Sequence, residues 1–292
     1  MLLHGAFFLG PKSFYRALRE MTPQQLARIQ MMPVSFTNQL YGGEEIKRRA
    51  RVDARFVNNA MMATLMGAVI SDGLENGQVV SGVGGQYNFV AQGHELEGAR
   101  TVIMLRASRT VRGKAASNLR WRYGHVTIPR HLRDIIVTAY GIADIRGKSD
   151  RDVIARMLAI TDSRFQDELL REAKDAGKIE RTFELAKSAR DNTPDALARA
   201  LRPATDAGLL PRFPFGTDFT AAEQRLLPAL QLLKSSSPAG LAALLLRGMF
   251  AAPADPGALE RLRLAKPQSL AERLSAWLVG GALSATDQDA AA

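Results

Sequence analysis

The sequence predicts an α/β domain followed by an all-α extension. Three observations carry that reading. Short apolar, β-branched runs alternate with capped helical segments up to about residue 180; glycine-rich turns are concentrated in the same half; and beyond it only helix start signals recur. The predicted boundaries are 1–180 for the α/β domain, 181–284 for the helical extension and 285–292 for a small, polar tail read as disordered.

The elements follow in chain order. Thr22-Pro23 sets a capping hydroxyl before a proline at the first helical position and opens a helix. Gln78-Val-Val-Ser81 reads as a strand running into the glycine loop Gly82-Val-Gly-Gly85. Thr101-Val-Ile-Met-Leu105 and Asp134-Ile-Ile-Val-Thr-Ala-Tyr140 read as buried strands, being short, apolar and β-branched. Ser149 to Ile160 places Val153, Ile154, Met157 and Leu158 on one helical face, and Ser163 to Ala176 repeats the pattern with Phe165, Leu169 and Leu170 before Gly177. In the second half Thr193-Pro194, the capping box Thr220-Ala-Ala-Glu223, Ser237-Pro238 and Ser269-Leu-Ala-Glu272 each open a helix. Pro228 is expected to kink the second of these.

Composition narrows the function classes. At 292 residues with 46% hydrophobic and 23% charged side chains the chain has the balance of a globular protein. It holds no cysteine, which excludes disulfides, thiolate metal ligands and a cysteine nucleophile. No segment reaches the length of a membrane span, and the apolar run Ala6 to Leu9 lacks the basic flank of a leader, so a cytoplasmic protein is expected. The formal net charge of +10 suits an anionic partner. Its densest cluster, Lys47 to Arg55, has no interleaved aromatics for base stacking and disfavours nucleic acid. His125 and His131 have no carboxylate at ligand spacing and read as structural, so no metal is expected.

Val80-Ser-Gly-Val-Gly-Gly-Gln-Tyr-Asn-Phe89 is the most informative stretch. A loop with so few β-carbons lets backbone N–H groups approach a phosphate or an oxyanion, although glycines also serve plain turns. This stretch resembles a signature of the acetyl-CoA hydrolase and acetate or 4-hydroxybutyrate CoA-transferase family. Arg109-Thr-Val-Arg-Gly-Lys114, His125 to His131 and Val137 to Lys148 are similar to the blocks that follow it, and Leu3 to Gly10, Met32 to Asn38 and Phe56 to Ala60 to blocks that precede it.

The resemblance covers roughly residues 1 to 180. It implies a NagB/RpiA/CoA-transferase-like α/β fold with an open sheet flanked by helices, and it implies coenzyme A as a substrate. It places Ser81, Gly82, Gly84, Gly85, Gln86, Arg109, Arg112 and Lys114 against CoA, and Asn38 near the substrate carboxylate. It also implies a glutamate nucleophile that forms a glutamyl-CoA thioester. That glutamate belongs to a segment preceding the Leu3 to Gly10 block, so the chain is expected to lack it and to need a separate N-terminal half or a homo-oligomer. Acyl-CoA and a small carboxylate are the expected partners. Two positions depart from the family pattern: Ala139 replaces a glutamate, and Val111 stands nearest to a missing lysine. A non-catalytic CoA-binding module is the alternative that these departures leave open, with a nucleic-acid binder third.

Overall fold

The computed structural model describes residues 2–111, 113–250 and 256–291, with the side chains of 288–291 excepted. The chain divides into two compact units, one comprising Met1–Leu9 and Ala17–Arg212, the other Gly10–Arg16 and Phe213–Ala292. The helix Pro194–Asp206 therefore belongs to the first unit, although the sequence reading assigned it to the extension.

The first unit is built on a four-stranded sheet in the order Gly141–Asp144, Ile135–Thr138, Arg100–Met104, Arg55–Asn59. The last three run parallel, and the first returns antiparallel through the tight turn Ala139-Tyr140. Asn58, Ile103, Ile136 and Ala143 pair in one row across the sheet. Ile103, Ile136 and Ala143 in that row join a core with Val153, Ile154, Met157, Leu158, Leu169 and Leu170 from the helices Asp150–Ala159 and Ser163–Asp175. Both strands and both helices were expected from the periodicity. Ser149 and Asp162 cap the helices by accepting hydrogen bonds from Asp152 N and Arg164 N.

The sheet is pinned by a buried ion cluster at its amino-terminal edge. Asp134, fully buried, accepts hydrogen bonds from Arg100 Nε at 2.9 Å, Thr101 N at 2.6 Å and an Arg146 terminal nitrogen at 2.7 Å. Arg100 also reaches Asp144 at 2.7 Å. Beside the main sheet lie a three-stranded sheet of Val69–Ile70, Met62–Thr64 and Leu119–Arg120, and the hairpin Ser108–Val111/Lys114–Ser117.

Two local expectations are corrected. Residues 78–81 form no strand: Val79 makes a single bridge to Gly73, while Val80 N and Ser81 N donate to the carbonyl of Asp72. The glycine loop instead leads into the helix Gln86–Glu95, which packs on Arg55–Asn59 and Arg100–Met104. The helix had no apolar period to betray it, because its buried residues include Gln86, Gln92 and Gly93.

The second unit is helical. Ala221–Ser235, Pro238–Phe250, Pro256–Arg261 and Leu270–Ala291 follow one another, the first opened by the expected Thr220/Glu223 capping box. Pro238–Phe250 and Leu270–Ala291 cross closely at two glycines: a β-carbon on Gly248 would overlap Trp277 O, and one on Gly281 would overlap Leu244 O. Leu270–Ala291 continues through the stretch from 285 that was read as a disordered tail. No helix among the described residues is long and apolar enough to cross a membrane.

Candidate active site

Asn59, Met104 and Thr138 end the parallel strands on the same edge of the sheet, and a cleft of about 730 Å³ opens there. Ligands of open α/β sheets bind at this carboxyl edge, where loops diverge and leave a crevice. Met61, Met62, Leu74, Met104, Leu105 and Val137 supply apolar walls, and Arg106 and Arg109 supply the charge. Among the described lining residues there is no carboxylate. The only hydroxyl is that of Thr138, which is committed as a donor to Ile160 O at 2.7 Å. Such a lining, apolar with two cationic groups, suits an apolar chain with an anionic end.

Arg109 is the one predicted contact that lines this cleft. Its guanidinium is held by Asn118 Oδ1 and by Ser117 O at 3.3 Å. Asn118 in turn donates to the Arg106 backbone O at 2.8 Å, so the hairpin base holds the Arg109 guanidinium and the Arg106 main chain. Lys114 is exposed on the hairpin opposite Val111, and Arg112 lies outside the described residues.

The glycine loop is tied to the cleft through Gln86, whose Nε2 donates to Asn59 O at 2.9 Å. The Gln86 Oε1 is buried with no hydrogen-bond partner among the described residues. A β-carbon at Gly82 or Gly84 would meet no atom within 4 Å, and Gly84 takes a positive φ of 58°. That backbone is open to approach. Gly85 is different: the Asn38 amide and the Phe89 ring pack directly on its α-carbon. Two predicted site residues, 47 positions apart in sequence, are thus in contact, while Ser81 lies exposed at the loop entrance.

Asp72 anchors this loop from below. Its carbonyl takes the two loop N–H groups, and its carboxylate accepts from the Thr127 hydroxyl and pairs with His125 Nε2 at 2.9 Å. The Thr127 hydrogen bond, and then His125, hold the Asp72 carboxyl below the usual carboxylate range. His125 thus has a carboxylate partner 53 positions away, which spacing along the sequence did not disclose.

A second cluster stands behind the tight turn, where Asp162 accepts from Ser108 Oγ at 3.1 Å, Tyr140 OH at 3.3 Å and Arg164 at 2.6 Å. Burial, and then the Asp162 charge, push the Tyr140 phenol up to about 12. The basic cluster 47–55 serves the fold. Lys47 is buried, donating to Gln39 O and Tyr41 O, and burial lowers its ammonium below the usual lysine value. Arg48 bridges Glu44 and Glu95, and Arg51 binds Gln92 and Thr37 O. Arg55 caps the carbonyls of Asp53, Ala54 and Gly98.

The residues that sequence reading missed are the cleft walls Met61, Met62, Met104 to Arg106 and Asn118. Met62, 3% exposed, is a core residue as well as a wall of the cleft. The usable signal was position: Leu105 and Ala139 each lie at the carboxyl end of a predicted strand.

The fold and the cleft define an α/β domain with an open crevice at the carboxyl ends of its parallel strands. Residues 10–173 match the family described as acetyl-CoA hydrolase/transferase C-terminal domain, and the chain belongs to that family. A 4-hydroxybutyrate coenzyme A transferase of Clostridium kluyveri is 31% identical over 120 residues, 40% of this chain and 28% of that protein. A probable butyrate:acetyl-CoA coenzyme A-transferase of Syntrophomonas wolfei is 28% identical over 121 residues, 40% of this chain and 27% of that protein. Among solved structures, a point mutant of RipA superposes with a TM-score of 0.50 at 26% identity, covering 59% of this chain and 36% of that one. The matched stretch falls well short of the full length of each relative.

Proposed function

We propose that this chain is the acyl-CoA-binding portion of an acyl-CoA:carboxylate CoA-transferase or acetyl-CoA hydrolase, and that the attacking glutamate reaches the cleft from another segment or chain. The observation that carries the reading is the composition of the cleft. It has apolar walls for an acyl or pantetheine chain and two arginines for an anionic group, and among the described lining residues no carboxylate to attack a thioester. Arginine is a competent phosphate donor, so Arg109 and Arg106 serve where the family's lysine is missing.

In this reading the incoming carboxylate attacks the thioester carbonyl and the CoA thiolate leaves, giving an acyl–glutamyl anhydride. The thiolate then attacks the glutamyl carbonyl, releases the acyl group as a carboxylate and forms glutamyl-CoA. A second carboxylate, or water in a hydrolase, resolves that thioester. The open backbone at Gly82 and Gly84 is suited to donate N–H groups to the oxyanions, and Asn38 is carried beside it by its packing on Gly85.

Calorimetry of the purified chain with CoA and acetyl-CoA tests the proposal. Expected are saturable binding, loss of about tenfold in affinity in Arg109→Gln, no thioester hydrolysis and no borohydride-trapped glutamyl adduct. Robust turnover by the chain alone would sink the divided-site claim, and absence of CoA binding would sink the whole reading. The alanine at position 139, on the cleft wall where family members carry glutamate, favours one alternative: a CoA-binding module without chemistry. It predicts the same binding, but no turnover when an N-terminal segment of the family is added.

A further inference from the structure

The edge of the sheet opposite the cleft carries a second pocket, of about 480 Å³, lined by His94, Arg130, His131, Arg133, Arg146, Gly147 and Lys148. These residues surround the amino-terminal starts of Arg100–Met104 and Ile135–Thr138 and the end of the antiparallel strand Gly141–Asp144. Every side chain in that lining is basic, and among the described lining residues there is no carboxylate. We infer that this pocket is a binding site for a small phosphate-bearing anion, distinct from the acyl-CoA cleft.

The charge balance is the first argument. Asp134 is shared between Arg100 and Arg146, Asp144 pairs with Arg100, and Asp150 is divided among Arg130, Arg133 and Lys178. Three carboxylates face these five cations and Lys148, so positive charge remains uncompensated at the pocket. The excess persists because much of the hydrogen bonding goes to neutral groups. Arg133 donates to Met66 O at 3.1 Å and Lys148 O at 2.8 Å, and Arg146 to Ala99 O at 2.9 Å and Gly93 O at 3.0 Å. These bonds fix the guanidinium planes without neutralising them, which is the preorganisation an oxyanion ligand rewards. Arg146 also covers a carbonyl at the negative carboxyl end of the helix Gln86–Glu95, an end that would otherwise repel an anion.

The second argument is a pair of unused polar atoms. Arg146 Nε and His94 Nε2 are both buried without a hydrogen-bond partner among the described residues. His94 Nδ1 faces Val90 O at 3.1 Å, which fixes the ring at the pocket wall. Arg146 Nε–H is a donor left unmatched, which is costly, and a phosphoryl oxygen can accept from it. The volume accommodates a phosphomonoester or pyrophosphate.

The test is calorimetric titration of the full chain with inorganic pyrophosphate and, separately, inorganic phosphate. Saturable one-to-one binding is expected, weakened about tenfold or more in Arg130→Gln/Lys148→Gln and unchanged in Arg109→Gln. Both substituted side chains are exposed, and circular dichroism melts check that the variant is folded. Should the double variant not fold, Lys148→Gln alone decides by the same criterion. No saturable heat with either anion at millimolar concentration, or equal affinity in wild type and variant, overturns the inference. Weakening by Arg109→Gln instead would place the anion in the cleft and overturn it too.

Discussion

The side-chain amide of Asn38 occupies the space that a β-carbon on Gly85 would need, with the Phe89 ring against the same α-carbon. Gly85→Ala must therefore displace Asn38 or the start of the helix Gln86–Glu95. Overpacking of this kind costs about 1–3 kcal/mol. Gly84→Ala meets no neighbour and bears only the strain of its positive φ, about 1 kcal/mol. Urea midpoints should rank wild type above Gly84→Ala above Gly85→Ala, and CoA affinity should fall further in Gly85→Ala, because Asn38 moves with it.

Asp72 makes stability acid-sensitive. Its carboxyl titrates below the ordinary carboxylate value in the folded chain, first through the Thr127 hydroxyl and then through His125. Its contribution is therefore complete above the unfolded value of about 3.9 and is lost as pH falls from there through the folded value. Denaturation of wild type and Asp72→Asn across this range should show a stability difference that shrinks on acidification. A constant difference would assign the effect to packing rather than ionisation.

Tyr140 should ionise late. Its hydroxyl donates to Asp162 at 3.3 Å, and its value of about 12 favours the neutral form in the folded state. Stability is then expected to decline between about pH 10 and 12, because the unfolded chain releases this proton first. An ultraviolet titration of the native protein should show a late tyrosinate step that disappears in Tyr140→Phe. Loss of the hydrogen bond itself costs about 0.5–1.5 kcal/mol.

The helical unit depends on the two glycines at its closest crossing. Backbone carbonyl oxygens of the facing helix stand where β-carbons on Gly248 and Gly281 would lie, and a backbone cannot swing aside as a side chain can. Gly281→Ala should cost about 3 kcal/mol, the upper end of overpacking penalties. Amide exchange should accelerate in Pro238–Phe250 and Leu270–Ala291, while the strand Arg100–Met104 keeps its protection.

Legibility in the sequence followed the physics of each element. The strand at 100–104 and the helices at 150–159 and 163–175 were readable because burial there is apolar and periodic. The helix 86–95 was not, since Gln86 and Gln92 are buried by donating to Asn59 O and Asn38 O, and buried polar groups imitate a surface. Val79 and Val80 imitated a strand, yet both are exposed and the backbone there is held by a carbonyl eight or nine residues upstream. Of the candidate site, the glycine loop and Arg109 were proposed from pattern. The contact of Asn38 with Gly85 and the pairing of His125 with Asp72 join residues 47 and 53 positions apart, and no local pattern encodes them. The pocket at the opposite edge was hidden for the same reason, its lining coming from three separate stretches.

The cleft has one more consequence, for how such a domain can diverge. Asn59 and Met104 form the last rung of the parallel ladder, and Ala60, Leu105 and Ala139 come just after the strands end. Strand register is set by the backbone and by inward-facing side chains such as Ile103 and Ile136, so an exposed residue beyond the final rung, such as Ala139, can be exchanged without shifting a strand. The shape of the binding cleft is therefore separable from the ability to fold. New specificities can accumulate on this scaffold one rim residue at a time.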